Sequence, residues 1–210
     1  MTARTTSPRE RLYQAPRAEP ELVQIPELDF IMIDGQGDPN TSQAYRDAIE
    51  VLYALSYTLK FALKKDEGVQ YRVGPLEGLW WADQMTDFSV ERKDGWKWTM
   101  MIGQPDGVTP ERFAHARAEV ARKKGLPALE LVRHCAFEEG LCAQVLHLGP
   151  FSAEGPTIAK LHAFIRTNGF VFDGQHQKHH EIYLSDPRRS APEKWRTVLR
   201  QPVSTGLLAQ

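Results

Sequence analysis

The stretch His179-His180-Glu181-Ile182-Tyr183-Leu184-Ser185-Asp186-Pro187 sets one carboxylate in the middle of an alternating polar and apolar run. Successive side chains of a strand point to opposite faces. His179, Glu181 and Tyr183 therefore share one face, and His180, Ile182 and Leu184 take the other, where the apolar pair can pack on helices. A glutamate held on such a face can serve as general base toward water once the attacking oxygen comes within about 3 Å. An ordinary strand glutamate is solvated, so the weight of Glu181 depends on what the remainder of the chain builds around it.

Other reactive side chains offer less. His176, His179 and His180 invite a metal reading, but adjacent strand histidines diverge and no ligand set at zinc spacing accompanies them, so no metal is expected. Glu138 and Glu139 read as solvating a hairpin turn, and Arg188, Arg189, Arg196 and Arg200 as a solvated basic face. Cys135 and Cys142 flank that turn out of register for a disulfide. No nucleophile elbow, phosphate loop or dinucleotide fingerprint is present, which removes the usual apparatus for acyl, phosphoryl and hydride transfer and leaves no cofactor implied. The 210 residues carry a net charge of -1, with 41% hydrophobic and 25% charged residues. That is an ordinary globular composition with no field to draw nucleic acid. No apolar run is long enough to span a bilayer and no secretory leader opens the chain, so a cytoplasmic protein with reduced thiols is expected.

The positioning elements follow from periodicity. Residues 1–27 hold Pro8, Pro16, Pro20 and Pro26 without a period and read as an extended arm lying on the surface or partly disordered. Leu28 to Asp34 reads as a strand. A helix capped by Asn40 or Thr41 follows, with an apolar stripe from Tyr45 through Leu63 that requires a sheet beneath it. Strands are expected around Glu77–Trp81 and Trp96–Gly103, with an acidic linker between them. Thr109-Pro110 opens a connector helix to about Lys124. Leu129–Phe137 and Leu141–Leu148 form an expected hairpin. A helix to Asn168, the Glu181 strand and a last strand over Lys194–Pro202 complete the chain.

The two halves repeat the order strand, helix, strand, strand. Trp98–Pro105 and Trp195–Pro202 both read W-x5-Q-P, and Trp80-Trp81-Ala82-Asp83 aligns with Tyr183-Leu184-Ser185-Asp186. The alignment sets Gly78 against Glu181, Trp80 against Tyr183, and Ile31 and Ile33 against Val145 and His147. If each half-sheet carries helices on one face, the opposite faces can enclose an apolar, aromatic cleft with one acid, and Gly78 would leave room for a ligand. Strand tryptophans are more often core than platform, and parity ranks them: Trp80 shares the face of Glu181, with Trp81 and Trp98 behind it. A stacked ring adds on the order of 1 kcal/mol to ligand binding. Ile33 and His147 complete the candidate lining, although His147 reads equally well as a satisfied core imidazole.

The segments PLEGLWWAD (75–83), WKWTMMIGQPDGVTP (96–110), EEGLCAQVLHLGPFSAE (138–154) and HHEIYLSDPRR (179–189) resemble the GyrI-like small-molecule-binding family. The resemblance spans most of residues 28–203. It implies an α+β fold of duplicated strand-helix-strand-strand units, of the GyrI-like or SHS2 type, with antiparallel sheets, helices on one face and a ligand cleft on the other. One domain over 28–210 is implied, with repeats at about 28–105 and 129–203 and the connector helix at about 109–124. It further implies that Glu181 sits centrally in the pocket and meets planar, hydrophobic or cationic small molecules. The GLWW and HHEIYLSD blocks are similar to the branch that hydrolyses cyclopropanoid alkylating compounds. That makes a cofactor-free detoxifying hydrolase the leading expectation, and a non-catalytic sensor or sequestering module the alternative. Residues 1–27 are too short and proline-rich for the DNA-binding helices that other members carry.

Overall fold

A computed structural model describes residues 8–83, 93–174 and 176–205; the acidic linker expected after Ala82 falls largely outside them. The elements in chain order are α1 (Pro8–Leu12), β1 (Glu21–Ile25), β2 (Leu28–Gln36), α2 (Gln43–Glu67), β3 (Leu76–Trp81), β4 (Lys97–Gly103), α3 (Pro110–Lys123), β5 (Arg133–Phe137), β6 (Gly140–Leu148), α4 (Gly155–Thr167), β7 (Phe170–Val171), β8 (His179–Tyr183), β9 (Arg196–Pro202) and β10 (Ser204–Thr205). They divide into two units: residues 27–138, the first repeat, and residues 139–210 with residues 1–26, the second.

In the first repeat the sheet order is β3-β4-β2-β5, all antiparallel. The helix above it starts where Ser42, one residue beyond the expected cap, accepts the backbone N–H of Tyr45 at 3.2 Å. It ends where Gly68 takes a left-handed φ of 69°. Val51, Leu52, Leu55, Leu59 and Leu63 form its buried stripe and lie on Ile31, Ile33, Met100 and Ile102, all fully buried. Each such side chain contributes roughly 1.5–3 kcal/mol by leaving water. The connector helix α3 opens at Thr109 with Pro110 in its first turn, as the sequence predicts, and packs on α2.

The second repeat has the order β8-β9-β6-β1, again antiparallel. Leu161 and Ile165 of α4 pack on Ala143, Val145, Leu199 and Val203. Its edge comes from the arm. Residues 1–27 were expected to lie loose on the surface, whereas β1 pairs with β6 from Glu21 opposite Gln144 to Ile25 opposite Gly140, and Ile25 is buried. The arm also accepts a bond from the Leu146 N–H at Pro16 O, 2.8 Å.

The expected hairpin does not form. Strand β5 pairs with β2, Leu28 opposite Phe137 and Met32 opposite Arg133, while β6 pairs with β1 and β9. Packing decides this: Cys135 and Phe137 complete the apolar layer of Phe30, Met32, Leu79 and Met101, a contact that a hairpin with β6 would forfeit. Residues 127–131, beginning at a proline, form a tight 3-10 turn rather than strand.

The repeat holds in structure, with two corrections to its register. Gly37 donates to Trp96 O at 2.8 Å and Gly149 to Trp195 O at 3.0 Å, so Trp195 corresponds to Trp96 and not to Trp98. The W-x5-Q-P match is coincidental. Gly78 opposite Met100 then corresponds to Glu181 opposite Leu199, and Trp80 opposite Trp98 to Tyr183 opposite Thr197, as expected. On the remaining strand Ile33 matches Val145 and Gly35 matches His147, two residues from the expected pairing.

Candidate functional site

Alternation along β8 is as the sequence predicts, but the helix lies on the other side. Glu181 stands opposite Leu199, and Leu199 opposite Val145, the two residues that α4 covers. The acid therefore occupies the helix-covered face of its sheet. His180 and Ile182 face away from α4, both wholly buried. The apolar residues under α4 are supplied by β6 and β9, which frees β8 to carry polar groups at the margin of the helix.

Glu181 is 15% exposed and each carboxylate oxygen has a neighbour on its own strand. Tyr183 Oη donates to Oε2 at 2.8 Å, and His179 Nε2 lies 3.4 Å from Oε1. Phe151 sets its edge against the Tyr183 ring at 5.5 Å and lies 5.0 Å from Trp195. Trp195 is anchored by its indole N–H on Ser190 O at 2.9 Å. A partly exposed carboxylate with a phenol and aromatic rings nearby can accept a proton from water.

His147 is a core imidazole. Its Nε2 faces Pro150 O at 3.3 Å and its Nδ1 faces the Thr157 hydroxyl at 3.0 Å. Only a protonated Nε2 can serve a carbonyl, so Nδ1 accepts from Thr157 and both nitrogens are occupied. The groove of about 410 Å³ that His147 borders, with Arg17, Thr157 and Lys160, does not include Glu181.

The remaining candidates belong to the first repeat. Ile33 and Trp98 are core under α2. Trp80, 3% exposed, packs against Tyr45 and Trp96 with centroids at 6.0 and 5.7 Å. Trp81 lies on the opposite face with Phe30, Leu79 and Met101. Gly78 leaves no vacancy: a Cβ there would stand 2.8 Å from Trp80 Nε1 and 3.2 Å from Met100 Sδ, so the neighbouring indole already fills that space.

Sequence reasoning missed the polar side chains that support β8. His179 was passed over as a non-ligand although its face was legible, and the β9 residue opposite it, Gln201, had no local signal. On the far face, Glu139, His180 and Arg200 form a buried charged cluster, where a solvated turn and a solvated basic run were expected. Glu139 meets His180 Nδ1 at 2.9 Å and Arg200 Nη1 at 3.1 Å. Arg200 also bonds to Gln144 Oε1 and to Leu12 O of the arm. Arg188 and Arg196 are exposed as expected. Arg200 differs because it sits in mid-strand between β6 and β8 under the arm. Burial alone would raise the Glu139 carboxyl, but His180 and Arg200 outweigh it and hold Glu139 below the usual carboxylate range.

Both cysteines are free, and burial pushes the Cys142 thiol up. Among the described residues no cluster of histidine, cysteine and acid is placed to hold a metal, and no helix is long and apolar enough to cross a membrane.

Two runs of four antiparallel strands in equivalent order, each with a helix on one face and one of them carrying an acid and tyrosine there, define the class: a duplicated α+β protein. Residues 18–204 match the GyrI-like small molecule binding domain, and the chain belongs to that family. A conserved, uncharacterized protein of Listeria innocua is 42% identical, with a TM-score of 0.87 over 93% of this chain and 97% of its own. A hydrolase from Listeria innocua is 41% identical over the same shares, with a TM-score of 0.81. The C-terminal domain of EcmrR, 12% identical, covers 89% of this chain and 98% of its own at a TM-score of 0.54, a likeness of fold alone. No functionally curated protein matches the chain.

Proposed function

We propose that the protein is a cofactor-independent hydrolase that opens the strained ring of planar, cyclopropane-bearing genotoxic compounds, with Glu181 as general base. Carrying this reading is the pairing of the partly exposed Glu181 carboxylate with the Tyr183 hydroxyl at 2.8 Å. The 41% identity to a protein described as a hydrolase supports it.

In the proposed step Glu181 takes a proton from water while the water oxygen bonds to a cyclopropane carbon. The strained C–C bond breaks and its electron pair passes into the conjugated carbonyl, giving a phenolate. The proton held by Glu181 then returns through solvent to the phenolate oxygen, so water is added overall. The ring strain supplies the driving force, and the protein supplies orientation and a positioned base. Tyr183 fixes the carboxylate and, with Phe151 and Trp195, offers ring surface to a flat substrate.

The test is incubation of substoichiometric protein with a spirocyclopropyl-dienone, followed by mass spectrometry. Multiple turnovers to a water adduct are expected, falling by about 10²–10⁴ in Glu181→Gln. Compound recovered unaltered in a one-to-one complex would replace the enzyme with a sequestering module.

A further inference from the structure

Gln201 lies in β9 opposite Ala143 of β6, on the face that α4 covers, and is 1% exposed. Its amide nitrogen stands between two imidazoles, 3.1 Å from His179 Nδ1 and 2.9 Å from His162 Nε2. An amide NH₂ has two hydrogens and no lone pair to offer. Each ring nitrogen must therefore be an acceptor, and each imidazole carries its proton on the far nitrogen. For His179 the far nitrogen is Nε2, which lies 3.4 Å from Glu181 Oε1 without a formed hydrogen bond to it. In the present orientation the Gln201 oxygen and His179 Nε2 have no hydrogen-bond partner, whereas reversing the amide would put two buried N–H donors in the place of that oxygen and turn a ring lone pair toward the Glu181 carboxylate. That costs more, because each unsatisfied buried donor forfeits its own hydration.

We infer that His179 is a positioning residue for Glu181: Gln201 locks its Nε2–H tautomer, so that this N–H borders one carboxylate oxygen and closes on it by a small turn of the ring, while the Tyr183 hydroxyl holds the other. This deepens the hydrolase reading and rests on it for the role of Glu181, although the tautomer is a property of the protein without substrate. A carboxylate gripped from one side only can swing about its terminal bond. With a donor on each oxygen the plane is fixed, and a fixed plane sets the direction from which a proton is accepted. His162, on α4 beside Phe172 at 5.9 Å, serves as the second acceptor that holds the Gln201 amide in place. Burial lowers its pKa, which keeps it an acceptor at neutral pH.

Two arms test the inference. Nitrogen-15 correlation spectra of histidine-labelled protein report which nitrogen of His179 carries the proton, with the resonances assigned through His179→Gln. Nε2–H is expected, and Nδ1–H overturns the inference. In the second arm His179→Asn places an amide near the Nδ1 position, which reaches Gln201 but not Glu181. His179→Gln places one near the Nε2 position, which can donate to Glu181. His179→Asn is expected to lose about tenfold to a hundredfold in kcat with KM unchanged, and His179→Gln to restore most of it. Equal activity in all three proteins, or equal loss in both variants, overturns the inference. Wild-type protein that shows Nε2–H but turns nothing over supports the arrangement and counts against the hydrolase reading instead.

Discussion

Glu139→Gln is expected to be among the most damaging single-charge changes in the second repeat. The Glu139 side chain is 3% exposed, and its partners Arg200 and His180 are 2% and 0% exposed. Glutamine keeps one acceptor oxygen for Arg200, but its NH₂ fits His180 only if that ring gives up its Nδ1 proton, and either way the buried Arg200 guanidinium loses its counter-charge. Breaking a buried charge pair in this way costs about 3–5 kcal/mol, a large part of the roughly 5–15 kcal/mol that holds a domain folded. With a urea slope of about 2–3 kcal/mol/M, the unfolding midpoint should fall by about 1–2.5 M with the slope unchanged. Glu138→Gln, one residue away and exposed, should stay within about 0.5 kcal/mol. The pH dependence provides a second reading. Because the folded-state pKa of Glu139 lies below the unfolded value near 4.5, its contribution is complete above that value and is lost as pH falls through the folded one. Glu139→Gln should therefore flatten the acid limb of the wild-type stability curve. A midpoint shift no larger than that of Glu138→Gln, or an unaltered acid limb, would refute the argument that this cluster is dry and charged.

The first repeat and the thiols give two more expectations. Gly35→Ala would place a methyl 2.1 Å from Trp98 Cη2, and Trp98 is held edge-on to Tyr45 at 5.4 Å. A loss of about 2–3 kcal/mol with altered tryptophan emission is expected, whereas Gly125→Ala meets no neighbouring atom and should be neutral by thermal melting. Native protein at pH 8 should leave Cys142 unmodified by an aromatic disulfide reagent, since its pKa is raised by burial and the thiolate is the reactive form; urea should release it, and rapid native labelling of Cys142 would refute its placement.

What could be read ahead of the coordinates follows the range over which each signal acts. Helix α2 announces itself through a stripe at three- and four-residue spacing and ends at Glu67, capped by Gly68, just past the expected Lys64-Lys65. The parity of His179, Glu181 and Tyr183 is a property of five consecutive residues and was legible. Pairing partners are not local. Strand β5 looks like half of a hairpin because Gly140 follows at turn distance, yet its apolar residues are claimed by β2, a hundred residues earlier. The arm illustrates the same limit: prolines at 8, 16, 20 and 26 hide a five-residue strand whose stability comes from β6 and from closing over Arg200. The side of the sheet covered by α4 depends on which residues of β6 and β9 stand beside β8, so periodicity in β8 alone left it open. Where His147, Gly78 and Trp98 pack depends on atoms of distant neighbours that no local pattern names.

The duplication also explains why one acid stands in this scaffold rather than two. In the first repeat the indole of Trp98 lies over Gly35 and the indole of Trp80 over Gly78, so two large rings fill the space that two missing side chains leave. The equivalent positions of the second repeat are Thr197 with His147 and Tyr183 with Glu181. There the cross-strand partner of the tyrosine is small, and side chains occupy the two glycine sites. A carboxylate at position 78 would have to displace an indole that is almost wholly buried, at the cost of overpacking a filled core. In the second repeat the same backbone site is relieved because Thr197 stands where Trp98 would and the Tyr183 hydroxyl reaches back to the acid instead of filling its place. The rings of one half and the acid of the other are thus two solutions to the same packing problem, and only the second leaves a titratable group at that site.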